Sequence, residues 1–238
     1  ARASKSQVRF SRYSSLDYDG SDYQARWNWR LGNHWSGVVG ATETVTQTSF
    51  ADWYSLVAVN NEVTRDNRFA RAEWQFHPRW SVGVAASDVS STNSTLLQKP
   101  NDYEDSIASA TLGYTTPKGS RLSGQLLRLD GEYPNRPLSS SADPRYTQTE
   151  YNLLADWKVT GKLISNGKIG YVQRENETLS QRDYSGVAGR VSVDYYPTGK
   201  TILNWAIYRE ISNSNDVKAT YQLNTGTGLG LAWLATSK

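Results

Sequence analysis

Arg26, Asn28 and Arg30 stand at every second position of one stretch, and Arg71, Glu73 and Gln75 repeat that spacing further on. Asp156/Lys158 and Asn166/Lys168 follow it again, as do Arg190 and Asp194 on one segment and Asn204 on the next. A period of two places such residues on one face of a β-strand. The chemistry of a mixed, mildly basic wall is that of passage and recognition. Rings of side-chain charge bias a watery pathway, and arginine grips carboxylate or phosphate through two hydrogen bonds. An anionic sugar polymer or a small anion would suit such a wall. A generic polar lining, with arginines paired to acids across strands, would have the same composition.

Other chemistries find less in the sequence. Glu43, Glu62, Glu73, Asp102, Glu104 and Asp105 could supply the two carboxylates of a glycoside hydrolase, but no motif separates them from the remaining acids. Asp17, Asp19 and Asp22 around Gly20 have the composition of a calcium loop and equally the Asp-Gly signal of a hairpin at a long connection. His34 and His77 lie beside Trp35 and Pro78 with no third clustered ligand, a poor basis for zinc. No serine is marked out as a nucleophile, and no Gly-rich phosphate loop follows a strand. Asn93-Ser94-Thr95 and Asn176-Glu177-Thr178 match glycosylation acceptors but signify only polar connections. The expectation is no catalytic residue, no metal and no cofactor. Nucleic acid is not expected either, because a net charge of +3 comes from 26 basic and 23 acidic residues that are spread along the chain.

The elements that carry these residues follow from the same alternation. Strands are predicted at 5–14, 21–31, 35–48, 65–76, 80–90, 105–116, 120–130, 147–159, 162–175, 184–196, 200–211 and 218–235. Short connections carrying Gly, Pro and Asn (32–34, 77–79, 117–119, 160–161, 197–199 and one beginning at 236–238) take turns with long polar ones such as 49–64, 91–104 and 131–146. The short turns centre near 33, 78, 118, 161, 198 and 237, a spacing of about 40 that a propeller would also show. A propeller blade needs four short strands per period, whereas each period here holds two long ones. Strands of that length, short turns at one end and long loops at the other are the layout of an outer-membrane barrel.

The opposite parity carries the apolar residues. Tyr23, Ala25, Trp27 and Trp29 begin it; Trp35/Val39, Ala70/Trp74/Phe76, Trp80/Val82/Val84, Leu112/Tyr114, Leu153/Trp157, Val193/Tyr195, Leu203/Trp205 and Leu229/Trp233 continue it. The chain has 9 Trp and 15 Tyr but only 4 Phe, and aromatics with a polar tip suit an apolar–aqueous boundary. Trp27, Trp29, Trp35, Trp74, Trp80, Tyr114, Trp157, Tyr195, Trp205 and Trp233 are therefore expected to form a membrane-interface girdle near the short turns. A charged face on every strand argues against a sandwich interior, where unpaired charge is costly.

The segments "RFSRYSSLDYDG", "ARWNWRLGNHWSGVVG", "TSFADW" and "FHPRWSVGV" resemble the EpsL-type outer-membrane proteins of exopolysaccharide operons, a β-barrel porin family encoded beside polysaccharide-export genes. The resemblance is most specific over about residues 8–85. It implies an outer-membrane barrel acting in exopolysaccharide production or export, and brings no catalytic residues.

The expected fold is all-β: a single antiparallel up-and-down transmembrane β-barrel domain over residues 1–238, at least twelve strands, a fragment incomplete at both ends. Its expected partners are outer-membrane lipid and either polysaccharide or export-complex proteins, and its expected place is the bacterial outer membrane. A scaffold barrel with a plugged lumen and a soluble secreted carbohydrate-binding β-protein are the alternatives.

Overall fold

The computed structural model describes residues 1–48, 60–139, 143–214 and 219–234. It contains twelve strands: β1 (Arg2–Val8), β2 (Tyr18–Leu31), β3 (Trp35–Gln47), β4 (Glu62–His77), β5 (Trp80–Asn93), β6 (Tyr103–Thr115), β7 (Arg121–Glu132), β8 (Arg145–Thr160), β9 (Leu163–Asn176), β10 (Tyr184–Thr198), β11 (Thr201–Ser212) and β12 (Gln222–Trp233). They form one sheet in sequence order, each strand antiparallel to its neighbours in the chain. This is an up-and-down meander. β1 and β12 are its two edges and do not pair with each other.

Local chemistry explains the turns. Gly32, at φ 58°, opens the turn from β2 to β3, and Gly119, at φ 77°, closes the turn from β6 to β7, where a side chain would be strained. Register shifts between Trp74 and His77, Lys158 and Thr160, and Tyr195 and Thr198 sit just before or at short turns, the usual place for a bulge to bend and end a ladder. The expected short turn at 236–238 and most of the expected loop 49–64 lie outside the described residues.

Three long connections, β1–β2, β5–β6 and β9–β10, share a device that the alternation pattern does not reveal. Asp17, Asp102 and Asp183 each follow a 3-10 turn, and each precedes a tyrosine that starts the next strand. Asp102 Oδ1 accepts the backbone N–H and side-chain amide of Asn93, at 2.7 and 2.9 Å. Asp183 Oδ1 does the same for Asn176, at 2.8 and 3.2 Å. Asp17 Oδ1 accepts the N–H of Phe10 at 2.8 Å. Each carboxylate thus ties the end of one strand to the start of the next, satisfying donors that the ladder no longer can. The Asp-Tyr pairs at 17–18, 102–103 and 183–184 are the visible sequence signal.

Two expectations are corrected here. The first strand ends at Val8, not at 14, because the chain turns back through Arg9–Asp17. The Asp17–Asp22 stretch is not a loop: Asp19 and Asp22 lie within β2, where Asp19 is paired with Gln7 and Asp22 with Ser4. An odd number of residues apart, they point to opposite faces, while Asp17 holds the preceding turn, so the three cannot converge on calcium.

The sheet is strongly curved. On a flat sheet β6 and β11 would stand about 24 Å apart, yet Asn213, one residue beyond β11, donates to Asp105 on β6 at 2.9 Å, and across two strands Arg121 on β7 donates to Glu73 on β4 at 2.8 Å. Glu73 and Arg121 both belong to the charged parity, so that face is concave. The buried apolar residues Val172 and Ala188 lie on it too, and Tyr133 and Tyr146 pack at its long-connection end.

Candidate functional site: the charged concave face

The register assembles the charged parity of the strands into one continuous face. Arg26, Asn28 and Arg30 on β2, Arg71, Glu73 and Gln75 on β4, Asp156 and Lys158 on β8, Asn166 and Lys168 on β9, Arg190 and Asp194 on β10, and Asn204 on β11 all fall on it. Direct pairs such as Asp156 with Asn166 and Asp194 with Asn204 bring several into contact. Asn204 donates to Asp194 at 2.6 Å.

Three polar layers run along this face. Nearest the short turns, Glu73 accepts from Arg121 at 2.8 Å and from Arg71 at 3.1 Å, and Arg121 also donates to Ser81 at 3.0 Å. In the middle, Glu150 accepts from Lys168 at 2.8 Å, Gln148 at 2.7 Å and Asn152 at 2.9 Å. Beside it Arg190 forks onto both oxygens of Glu210, at 3.0 and 2.7 Å, the planar geometry that suits a guanidinium. Arg190 also lies over the ring of Tyr208. Among the described residues Arg26, Arg30 and Lys158 have no acidic partner; Arg26 donates only to Asn28. Asp22 on β2 and Asp156 on β8 share this face and likewise have no basic partner among the described residues, so the unmatched charge there is of both signs, with the two arginines in excess on β2.

The third layer lies at the long-connection end. Tyr133 and Tyr146 pack with ring centroids 5.9 Å apart, Arg136 covers the first ring at 3.6 Å, and Arg174 covers the second at 3.5 Å. Arg136 donates to the carbonyl of Ala219 at 3.1 Å and Arg174 to that of Thr220 at 2.9 Å. Ala219 and Thr220, just before β12, are thereby held to the β7–β8 connection and to β9. Arg121, Glu150, Arg174 and Glu210 belong to the same face and were not among the residues expected there. Their parity was readable, but their partners lie on other strands.

The opposite face carries Trp27, Trp29, Trp35, Trp74, Trp80, Tyr114, Trp157, Tyr195, Trp205 and Trp233. Trp35 stands opposite Trp74 and their rings stack at 5.7 Å with 12° between planes. Trp80 meets Tyr114 at 4.9 Å. Trp205 is one rung further from the short turns than Tyr195 and Leu203, between Val193 and Leu229. Trp29 lies flat over Gly37, where a Cβ would collide with its ring. Val39, Val84, Leu112, Leu153, Val187, Ile207 and Leu229 fill the same face and are exposed. On β8 it runs from Tyr151 to Val159, nine residues or about 27 Å along the strand. Beyond it, toward the long connections, the same face turns polar with Asp66, Arg68, Asp88, Asp130 and Glu175.

The remaining chemical candidates do not converge. Glu43 and Glu104 lie on the apolar parity, Glu73 and Asp105 on the other, and Asp102 is engaged with Asn93. His34 donates to the carbonyl of Gln75 at 2.9 Å, and His77 accepts the N–H of Arg79 at 3.2 Å. Among the described residues no group of three His, Cys, Asp or Glu could hold a metal. Asn93 and Asn176 are buried in their aspartate contacts rather than displayed.

No protein-family model matches the chain, and no curated protein matches it significantly. Among solved structures it is similar to OmpT (in-vitro folded), an outer membrane protein of Vibrio cholerae, at 10% identity and a TM-score of 0.48, over 97% of this chain and 94% of that one. This is a likeness of layout, and no function is taken from it.

Proposed function

We propose that the chain is an outer-membrane β-barrel whose apolar, aromatic-rich face meets lipid and whose charged face lines an aqueous pathway for a hydrophilic, anionic solute or glycan, without catalysis. The observation that carries this reading is the division of one sheet into two faces across its strands, charged on the concave side and apolar on the convex side. Exposed apolar area of that extent is costly in water and is what a bilayer covers. The unpaired Arg26 and Arg30 support an anionic cargo, since an excess of free cations on a wall attracts and orients anions. The resemblance to exopolysaccharide-operon proteins supports a glycan.

The contacts of Arg136 and Arg174 across the concave face favour a second reading, a barrel with an occluded lumen that acts as a scaffold for export machinery or extracellular material. Planar-bilayer conductance of the folded chain separates the two. Steady open channels with a reversal potential displaced toward anions support passage; a folded, silent protein supports the scaffold. Folding in detergent is checked first by electrophoresis with and without boiling. A monodisperse folded species in detergent-free buffer, with no boiling-dependent shift, would overturn both and leave a soluble carbohydrate-binding protein.

A further inference from the structure

Asp105 on β6, Tyr146 on β8 and Asn213 just beyond β11 form a ring of contacts whose protons do not balance if the acid is ionised. Tyr146 Oη lies 2.5 Å from Asp105 Oδ1 and 2.7 Å from Asn213 Oδ1, while Asn213 Nδ2 lies 2.9 Å from Asp105 Oδ2. A tyrosine hydroxyl has one proton to give, so an ionised Asp105 leaves it facing two acceptors. Turning the Asn213 amide over does not help. Its oxygen would then face Asp105 Oδ2, and its amide nitrogen would face Arg174, whose guanidinium donates to Asn213 at 3.3 Å. Either orientation lacks one proton, and in both the place for it is Asp105. With Asp105 protonated the ring closes: Asp105 donates to Tyr146, Tyr146 to Asn213 Oδ1, and Asn213 Nδ2 back to Asp105.

We propose that protonated Asp105 acts as a clasp, fixing Asn213 at the start of the β11–β12 connection onto the concave face, and that the clasp opens when Asp105 loses its proton. Ionisation draws the Tyr146 proton to Asp105 and sets the phenol oxygen against the Asn213 carbonyl, which expels Asn213. The groups around Asp105 are the phenols of Tyr103, Tyr133 and Tyr146 and the guanidinium of Arg174, with Arg65 beside Tyr103 and Arg136 beside Tyr133. Gly131 leaves the room this needs, because a Cβ there would collide with both the Tyr146 ring and Asp105.

Asp105 is 8% exposed. Burial raises its carboxyl above the ordinary 3.8 and outweighs the lowering by Tyr146, Asn213 and Arg174. A raised value in the folded chain means that the clasp's contribution is complete below 3.8 and is lost as pH rises through the folded value. The clasp rests only on this packing; its effect on passage rests on the function proposed above.

The test is hydrogen exchange at the Ser214 amide, which donates to Tyr133 Oη beside the clasp, in the full chain in detergent from about pH 4 to about pH 9. Protection corrected for intrinsic exchange is expected to fall about tenfold as pH rises. Asp105→Asn is expected to stay protected throughout, since its amide donates to Tyr146 as the protonated acid does. Tyr146→Phe is expected to lose the pH dependence, because the opposed oxygens are gone. A wild-type profile flat with pH, or the wild-type profile persisting in either variant, overturns the clasp. A pH-dependent exchange in a folded chain that is silent in the bilayer leaves the clasp standing and counts against passage instead.

Discussion

Glu73 on β4 and Arg121 on β7 meet at 2.8 Å across two intervening strands, which places both on the concave side of a tightly curved sheet. Arg71 shares the same carboxylate and Ser81 the same guanidinium. Removing the acid would leave two guanidiniums facing one another. Glu73→Gln is expected to destabilise the folded chain by about 1–3 kcal/mol and to move its charge selectivity toward anions. Urea unfolding in lipid and reversal potentials measure these separately.

Gly37 is required by the ring of Trp29 and by the backbone carbonyl of Arg71, which both lie where a side chain would be. Gly37→Val is expected to displace the indole and cost about 1–3 kcal/mol through overpacking. A red-shifted or blue-shifted tryptophan emission together with a lower unfolding midpoint would register it. An unchanged spectrum would show that the indole does not rest there.

Trp35 and Trp74 stack on the apolar face. A double-mutant cycle of Trp35→Leu and Trp74→Leu, followed by unfolding in lipid, is expected to give a coupling of about 0.5–1.5 kcal/mol. Coupling near zero would mean that the two rings do not stabilise one another.

Asp102 ties β5 to β6 through Asn93 and is almost completely buried. Asp102→Ala leaves the two donors of Asn93 without an acceptor and is expected to cost about 1–3 kcal/mol. Protease nicking within 94–102 should rise while the 177–183 connection, held by Asp183, stays intact. Equal nicking at both would make the effect global rather than local.

Tyr103, Tyr133 and Tyr146 lie beyond the apolar face, and burial raises all three phenols above the ordinary 10. Their contribution to stability is complete below 10 and is lost as pH rises through the raised values. Phenolate absorbance on alkaline titration should therefore appear in two stages, exposed tyrosines first and these three only as the fold opens. A single early stage would mean that water reaches the cluster.

The strands, their two faces and the short turns were legible in the sequence because each is a local signal. A period of two sorts Arg26, Asn28 and Arg30 from Trp27 and Trp29 without reference to any other strand, and Gly32 or Gly119 marks a backbone that other residues resist. The limits of local signals are equally plain in the first strand, where the Phe10 N–H donates to Asp17 and the chain turns back although the alternation runs on to 14. The Asp-Tyr returns at 17, 102 and 183 were present as a repeat, but their meaning lay in contacts to a preceding strand end. Only the tertiary structure decided which charges meet. Glu73 and Arg121 are 48 residues apart, and Asp105 and Asn213 are 108 apart. Such pairs depend on the curvature accumulated over several strands and on where a long connection returns, and no spacing within one strand encodes either.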